Sequence, residues 1–364
     1  MSVRLDGISR TVRGEPHLID ITLEMAKGSL NVLLGATRSG KTSLMRVLAG
    51  LDAPSAGRLF VDGVDVTGVP VRRRDVAMVY QQFINYPSMT VYENIASPLR
   101  VAGVKAAALD QKVRQAAELL KLTPYLDRAP LQLSGGQQQR TAIARAVVKG
   151  AGLVLMDEPL ANLDYKLREE LREELPKIFA ETGAILVYAT TEPTEALLLG
   201  GVTATLHQGR VTQYGSASAV YRHPRDLTTA QVFSDPPLNC MPAVKHGTNL
   251  TVRSIGEVTL SGAQAALADG DYILGVRAHH LSLAPLPGSL AVPGQVTVSE
   301  ITGSESFVHV DAPNGRFVAL ARGVEEFLPD AHIELHVDLA HLLFFRADGA
   351  LALAADLVPD VRAA

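Results

Sequence analysis

A strand that must turn sharply into a helix is written into residues 30–48. The apolar run Leu30–Leu34 is followed by Gly35-Ala36-Thr37-Arg38-Ser39-Gly40-Lys41-Thr42, and helix-compatible residues continue from Ser43 to Leu48. This is the P-loop pattern in the strand–turn–helix context that gives the pattern its meaning. Bare N–H groups of such a loop cradle phosphate oxygens, the Lys41 ammonium reaches the β and γ oxygens, and the Thr42 hydroxyl suits Mg²⁺. A chance match arises in on the order of one chain in a hundred of this length, and the flanking strand and helix lower those odds. The expected nucleotide contacts are Gly35, Ala36, Thr37, Arg38, Ser39, Gly40, Lys41, Thr42 and Ser43.

Two later segments carry matching chemistry. Leu133-Ser134-Gly135-Gly136-Gln137 is a serine-and-glycine turn at the start of a helical pattern, a second place where N–H groups can meet phosphate. Taken alone it is equally consistent with a flexible turn. The apolar run Leu153–Met156 ends in Asp157-Glu158. Such an acidic pair at a strand end is more often a helix N-terminal pair stabilised by the dipole. With a P-loop upstream, the catalytic reading prevails: Asp157 holds Mg²⁺ through water, and Glu158 orients or deprotonates the attacking water.

The chain has 364 residues, long enough for two cores. A net charge of -4 without basic tracts gives no footprint for nucleic acid. Cys240 is the single cysteine, so no intramolecular disulfide can form. Met1–Asp6 lacks the apolar core of a signal peptide, and runs such as Ala196–Leu206 fall short of the ~20 residues that span a bilayer. A soluble chain is expected, tied to a membrane only through partners. Residues 1–235 read as an α/β domain, with strands at Leu30–Leu34, Asp75–Tyr80, Leu153–Met156 and Ala184–Ala189. A helical subdomain at about 85–135 is centred on the helix formers of Val91–Lys121. Ser234-Asp235-Pro236-Pro237 breaks this pattern. Over 236–364, short β-type runs (Leu250–Val252, Tyr272–Val276, Gln295–Val298, Ser306–Val310) predict a small all-β barrel or sandwich.

The order P-loop, glutamine segment Val79-Tyr80-Gln81-Gln82, Ser-Gly-Gly turn and acidic strand resembles the ATP-binding subunits of ABC transporters, and the resemblance covers essentially the whole chain. It implies two nucleotide domains facing head to tail, with Ser134, Gly135, Gly136 and Gln137 of one completing the ATP site of the other. It also implies ATP and Mg²⁺ as cofactors, Thr42, Gln81 and Asp157 around the metal, and Gln81 and Glu158 in catalysis. Ala161-Asn162-Leu163-Asp164 matches the loop that signals between sites. Asp235-Pro236-Pro237-Leu238-Asn239, Gly275-Val276-Arg277 and Gly303-Ser304-Glu305-Ser306 resemble the OB-like accessory domain of sugar and polyol importers. The implied partners are a second ATP-binding subunit, two membrane-spanning permease subunits and, indirectly, a periplasmic substrate-binding protein. No nucleic acid is implied. The implied place is the cytoplasmic face of a bacterial inner membrane.

Three departures from that pattern qualify the expectation. Thr191 stands where the family has a histidine that contacts the γ-phosphate, and threonine offers one uncharged hydroxyl donor. Losing one positioned donor at a developing oxyanion costs roughly 10²–10³ in rate. Val12 stands where the family stacks an aromatic residue on adenine. Arg38 replaces a glycine of the family's loop and, as an arginine, is expected at the surface. Together with Gln82-Phe83-Ile84-Asn85-Tyr86-Pro87, these departures resemble one of the two ATPase subunits of the bacterial glycerol importers. The expectation is therefore a heterodimer in which this chain's own site is weak. The alternatives are a homodimeric ATPase of a sugar or glycerol-phosphate importer, and a largely non-hydrolysing regulatory subunit. A third, a soluble ABC protein of translation or repair, would favour basic tracts that do not stand out here.

Overall fold

The computed structural model describes residues 1–82, 84–161 and 163–355. The chain divides into two compact units, Met1–Ala217 and Ser218–Ala364.

In chain order the first unit contains β1 (Val3–Val12), β2 (Glu15–Met25), β3 (Leu30–Leu34), α1 (Lys41–Ala49), β4 (Ala56–Val61), β5 (Val64–Asp65) and β6 (Val76–Val79). The helices α2 (Val91–Val101), α3 (Ala106–Leu119) and α4 (Gly135–Lys149) come next, then β7 (Leu153–Asp157), α5 (Tyr165–Thr182), β8 (Ile185–Thr190), α6 (Pro193–Leu199), β9 (Val202–His207) and β10 (Arg210–Ser216). Six strands form one sheet in the order β10-β9-β3-β8-β7-β6, parallel from β9 to β6 and closed by the antiparallel β9–β10 hairpin. Four more form an antiparallel sheet in the order β2-β1-β4-β5.

The unbroken apolar run of β7 reflects burial on both faces, the usual lot of a parallel strand. Leu153 and Leu155 face one core, with α1 and the antiparallel sheet; Val154 and Met156 face the other, with the helices. Helix α1 lies against the first of these cores and buries Leu44, Met45, Val47, Leu48 and Ala49. The strands expected near 30, 75, 153 and 184 all form. The hairpin β1–β2 was not among those expectations. Its alternation (Val3, Leu5 and then Ile21, Leu23, Met25 buried, their neighbours exposed) is the period-2 signature of a one-sided antiparallel sheet, not of an α/β crossover.

The second unit begins with α7 (Ala217–Arg222, straddling the division) and α8 (Leu227–Val232) and continues in antiparallel strands. They build a six-stranded and a five-stranded sheet whose inner faces share a core of residues such as Met241, Leu274, Val292, Val310, Phe317 and Phe344. This is the all-β accessory fold expected from the spacing of short strands. The division falls earlier than the composition break at 236. Ala230 and Leu227 of α8 pack with Leu238, Leu343 and Phe345 of the β unit, so the helices ahead of the proline pair belong to the β unit.

Leu155 of β7 is fully buried in the core that it shares with α1 and the antiparallel sheet. Leu155→Ala is expected to cost about 2–5 kcal/mol. Hydrogen exchange should speed up across residues 1–217 and stay unchanged across 218–355; a uniform change would contradict two separate cores.

Candidate active site

The loop between β3 and α1 is held by backbone groups on three sides. Gly35 N–H donates to Thr190 O (3.3 Å), Ser39 N–H to Ala36 O (3.1 Å), and Gly209 N–H to Ser39 O (2.9 Å). Gly35 has to be glycine: a Cβ there would lie 2.4 Å from Leu206 O. Gly40 caps α1 at φ 112°, a conformation in which side chains are strained. Lys41 is buried, and its Nζ donates to Gly35 O (2.5 Å) and Ala36 O (3.1 Å). Burial pulls the Lys41 ammonium below its usual pKa, against the opposing pull of Glu158 and Asp157.

At the C-terminal end of β7, Asp157 accepts a hydrogen bond from Thr42 Oγ1 (2.8 Å). Burial raises the Asp157 pKa, while the Thr42 bond and Lys41 oppose it. Two hard oxygens held together at the head of α1 fit Mg²⁺, which takes one or two protein oxygens beside phosphate and water. They would hold the ion, whose charge would offset that of the phosphates.

The next residue, Glu158, sits at φ 47°, a left-handed conformation uncommon outside glycine and found at functional sites. Its N–H donates to Ala189 O (3.0 Å), and its carboxylate accepts from Gln81 Nε2 (2.8 Å). Burial is the main cause of a raised Glu158 pKa; Lys41 and the Gln81 bond lower it, Asp157 and Glu195 raise it. A carboxylate tuned upward in this way is better matched to taking a proton from water.

A single cleft of about 820 Å³ gathers Thr37, Arg38, Gly40, Lys41, Thr42, Ser43, Gln81 and Glu158. Ala36 and Ser39 support it from behind through the bonds above. Arg38, expected at the surface, is exposed but also lines this cleft, because its φ of 68° turns the loop there. Val12 is not among the lining residues. It closes the β1–β2 hairpin opposite Glu15, at the turn end of the two strands.

Ser134, Gly135, Gly136 and Gln137 do not line the cleft either. They start α4, where Ser134 Oγ accepts from Gln137 N–H (3.4 Å) and Gln137 Oε1 accepts from Ser134 N–H (2.9 Å), a reciprocal cap. Thr191 lies exposed in a small separate cavity with Glu158, Thr190, Arg168 and Glu192. The expected positions Phe83 and Asn162 lie outside the described residues.

Several functional neighbours were missed by sequence reasoning. Glu15, Pro16, His17 and Ile19 of β2 and Gln208-Gly209 of the β9–β10 turn form a wall of the cleft. Sequence distance alone removes His17 from consideration as a stand-in at position 191. The structure agrees that it is not beside Thr191, yet places it at the nucleotide cleft. Buried Glu195 accepts from Tyr188 Oη (2.6 Å) and from Thr190 Oγ1, which in turn accepts from Glu192 N–H (3.0 Å). This knot fixes the backbone on either side of Thr191.

A glycine loop feeding a helix N-terminus, a lysine, a threonine–aspartate pair and a strained glutamate define a P-loop ATPase. Residues 18–161 match the ABC transporter family model, and residues 274–345 match the TOBE domain model. The trehalose/maltose import ATP-binding protein MalK of Thermococcus litoralis is 34% identical over 345 residues, covering 90% of this chain and 92% of that protein. The sn-glycerol-3-phosphate import ATP-binding protein UgpC of Paracoccus denitrificans is 34% identical over 350 residues, covering 94% and 96%. An ATP-binding cassette solved as a dimer in a post-hydrolysis state with ADP and Pi aligns with 59% of this chain and 98% of its own, at TM-score 0.55 and 27% identity. The chain belongs to the ATP-binding proteins of ABC transporters: it is an ABC-type ATPase with a C-terminal TOBE domain.

Gln81 donates to the ionised form of Glu158, so its removal raises the Glu158 pKa further. Hydrolysis that needs the ionised carboxylate is lost as pH falls through that pKa. Gln81→Leu is therefore expected to move the acid limb of the kcat profile to higher pH, read from ATPase rates across a pH series. A limb that stays in place or moves to lower pH would remove Glu158 from the role of base.

Proposed function

We propose that this chain is the ATP-hydrolysing subunit of an importer for a sugar or a glycerol phosphate, working as a homodimer on two permease subunits supplied by a substrate-binding protein. One observation carries the dimer: the cleft that gathers Lys41, Thr42, Gln81 and Glu158 contains none of Ser134–Gln137. The serine and first glycine of that turn are exposed, and a Cβ on Gly135 would touch nothing in this chain. Packing within the chain does not demand that glycine; close approach of a second chain's nucleotide does. Near full-length likeness to import proteins for trehalose/maltose and for sn-glycerol-3-phosphate supports the substrate class. Mg²⁺ would be held by Thr42 and Asp157, with Gln81 near it.

The permeases would dock in a cavity of about 420 Å³ between α1, β6, α2 and α4, lined by Tyr80, Ile84, Tyr86, Pro98, Val101 and Arg145. Val101 is 92% exposed there, an apolar side chain suited to burial by a short helix. Such docking would hold the chain at the inner face of a bacterial membrane by attachment. Among the described residues no helix is long and apolar enough to cross one.

Thr191 favours a second reading, a glycerol importer with a second, non-identical ATPase. Beside Glu158, a threonine replaces an imidazole's reach with one short hydroxyl. The complex purified with its native partners decides between the two. Native mass spectrometry that finds two copies of this chain per complex supports the homodimer; one copy with a different ATPase chain supports the second reading. In the homodimer, Glu158→Gln abolishes transport; in the second reading most transport survives it. Thr191→His in the isolated chain is expected to raise kcat by up to roughly 10²-fold. An unchanged rate would show that the site does not lack that donor.

A further inference from the structure

We propose that His17 is the ring on which the nucleotide base packs, rather than Val12, the aliphatic residue at the position where the family has an aromatic one. The inference rests on the shape of the cleft and not on which substrate the transporter carries.

The ends of the cleft are distinguishable by their chemistry. Glu158 and Gln81, in contact with each other, mark the end where water meets the γ-phosphate. Lys41 and Thr42 occupy the middle. His17 contacts Ser43, in the first turn of α1, through Nδ1···Oγ at 3.4 Å. A triphosphate laid along the loop with its γ end at Glu158 sends its nucleoside past this first turn, into the part walled by Glu15, Pro16, His17, Ile19, Gln208 and Gly209. His17 is the one aromatic ring in that wall, and it is exposed.

The register of the β1–β2 hairpin explains how it gets there. Arg10 pairs with Leu18 and Thr11 with Pro16, so one step on β1 is matched by two on β2, and His17 is the extra residue. Such a bulge re-aims a side chain out of the pleat, and bulges recur beside active sites. The bulge is also anchored. A Cβ on Gly209 would lie 2.7 Å from His17 O and one on Gly40 3.1 Å from it, so the three backbones are in close contact. Ile19 N–H donates to Gly209 O (2.8 Å), and Gly209 N–H to Ser39 O (2.9 Å). The strand that carries the imidazole is thereby tied directly to the loop that carries the phosphates. Val12, by contrast, pairs with Glu15 at the hairpin end and does not line the cleft.

Imidazole stacks on nucleobases as other aromatic side chains do. Truncating such a stack typically costs about fivefold to a hundredfold in affinity. The test is equilibrium titration of the full chain and its variants with ATP and with inorganic tripolyphosphate, which has the phosphates but no base. His17→Ala is expected to weaken ATP binding about tenfold while leaving tripolyphosphate within about twofold. His17→Phe, which keeps a ring, is expected to retain ATP affinity and also guards against misreading a folding defect. Unchanged ATP affinity in His17→Ala would overturn the proposal, as would equal losses for ATP and tripolyphosphate. A loss confined to Val12→Ala would return the base to the hairpin end.

Discussion

Two adjacent carbonyls at the end of β8 hold the working parts of this ATPase together. Thr190 O receives the N–H of Gly35, the first residue of the phosphate loop, and Ala189 O receives the N–H of Glu158. Because β3 and β7 flank β8 in a parallel sheet, the loops that leave all three strands emerge at the same edge. The phosphate loop and the Glu158 carboxylate are therefore set to one another by main-chain bonds, not by flexible side chains. Their mutual geometry depends on strand register, which the two hydrophobic cores fix by burying alternate faces of every strand.

The same edge explains the knot around Glu195. A buried carboxylate is costly unless its oxygens are satisfied. Here Tyr188 and Thr190, two positions apart on the same face of β8, both donate to it. That bond pattern anchors the start of α6 to the strand end and holds the turn containing Thr191 beside Glu158. Whatever side chain stands at 191 is thus presented by a rigid frame.

Much of the site was legible in the sequence because its signals are local. A P-loop, a strand ending in two carboxylates and a Ser-Gly-Gly helix start are each contiguous, and each fell where the pattern placed it. The glutamine at 81 could be tied to Glu158 only through family resemblance, since 77 positions separate the two. The β1–β2 hairpin and the wall it contributes were not legible. Position 17 reaches the cleft through a one-residue register slip between strands, and no window of sequence records a pairing register. Val12 was singled out for the complementary reason: alignment by chain position counts residues but cannot see which of them a bulge turns inward. The early boundary at 217 has a similar origin. Proline and composition mark where the backbone changes character, whereas the packing of α8 on Leu343 and Phe345 is set by contacts more than a hundred residues away.

The Ser-Gly-Gly turn poses the sharpest question of attribution, since local structure accounts for part of it completely. Ser134 and Gln137 form a reciprocal helix cap, a sufficient reason for both residue types even in a protein that binds nothing. Capping does not account for the glycines. Gly135 has open space where a Cβ would stand, and as the first residue of a helix it carries an intrinsic cost relative to alanine. A position that tolerates a side chain, gains nothing locally from lacking one and remains exposed is explained by something that must approach its backbone closely. The first N–H groups of α4 point outward from that place without intrahelical partners. In the proposed dimer a nucleotide phosphate held by the other chain would satisfy them, and the glycine, more than the serine, is the residue that this proposal explains.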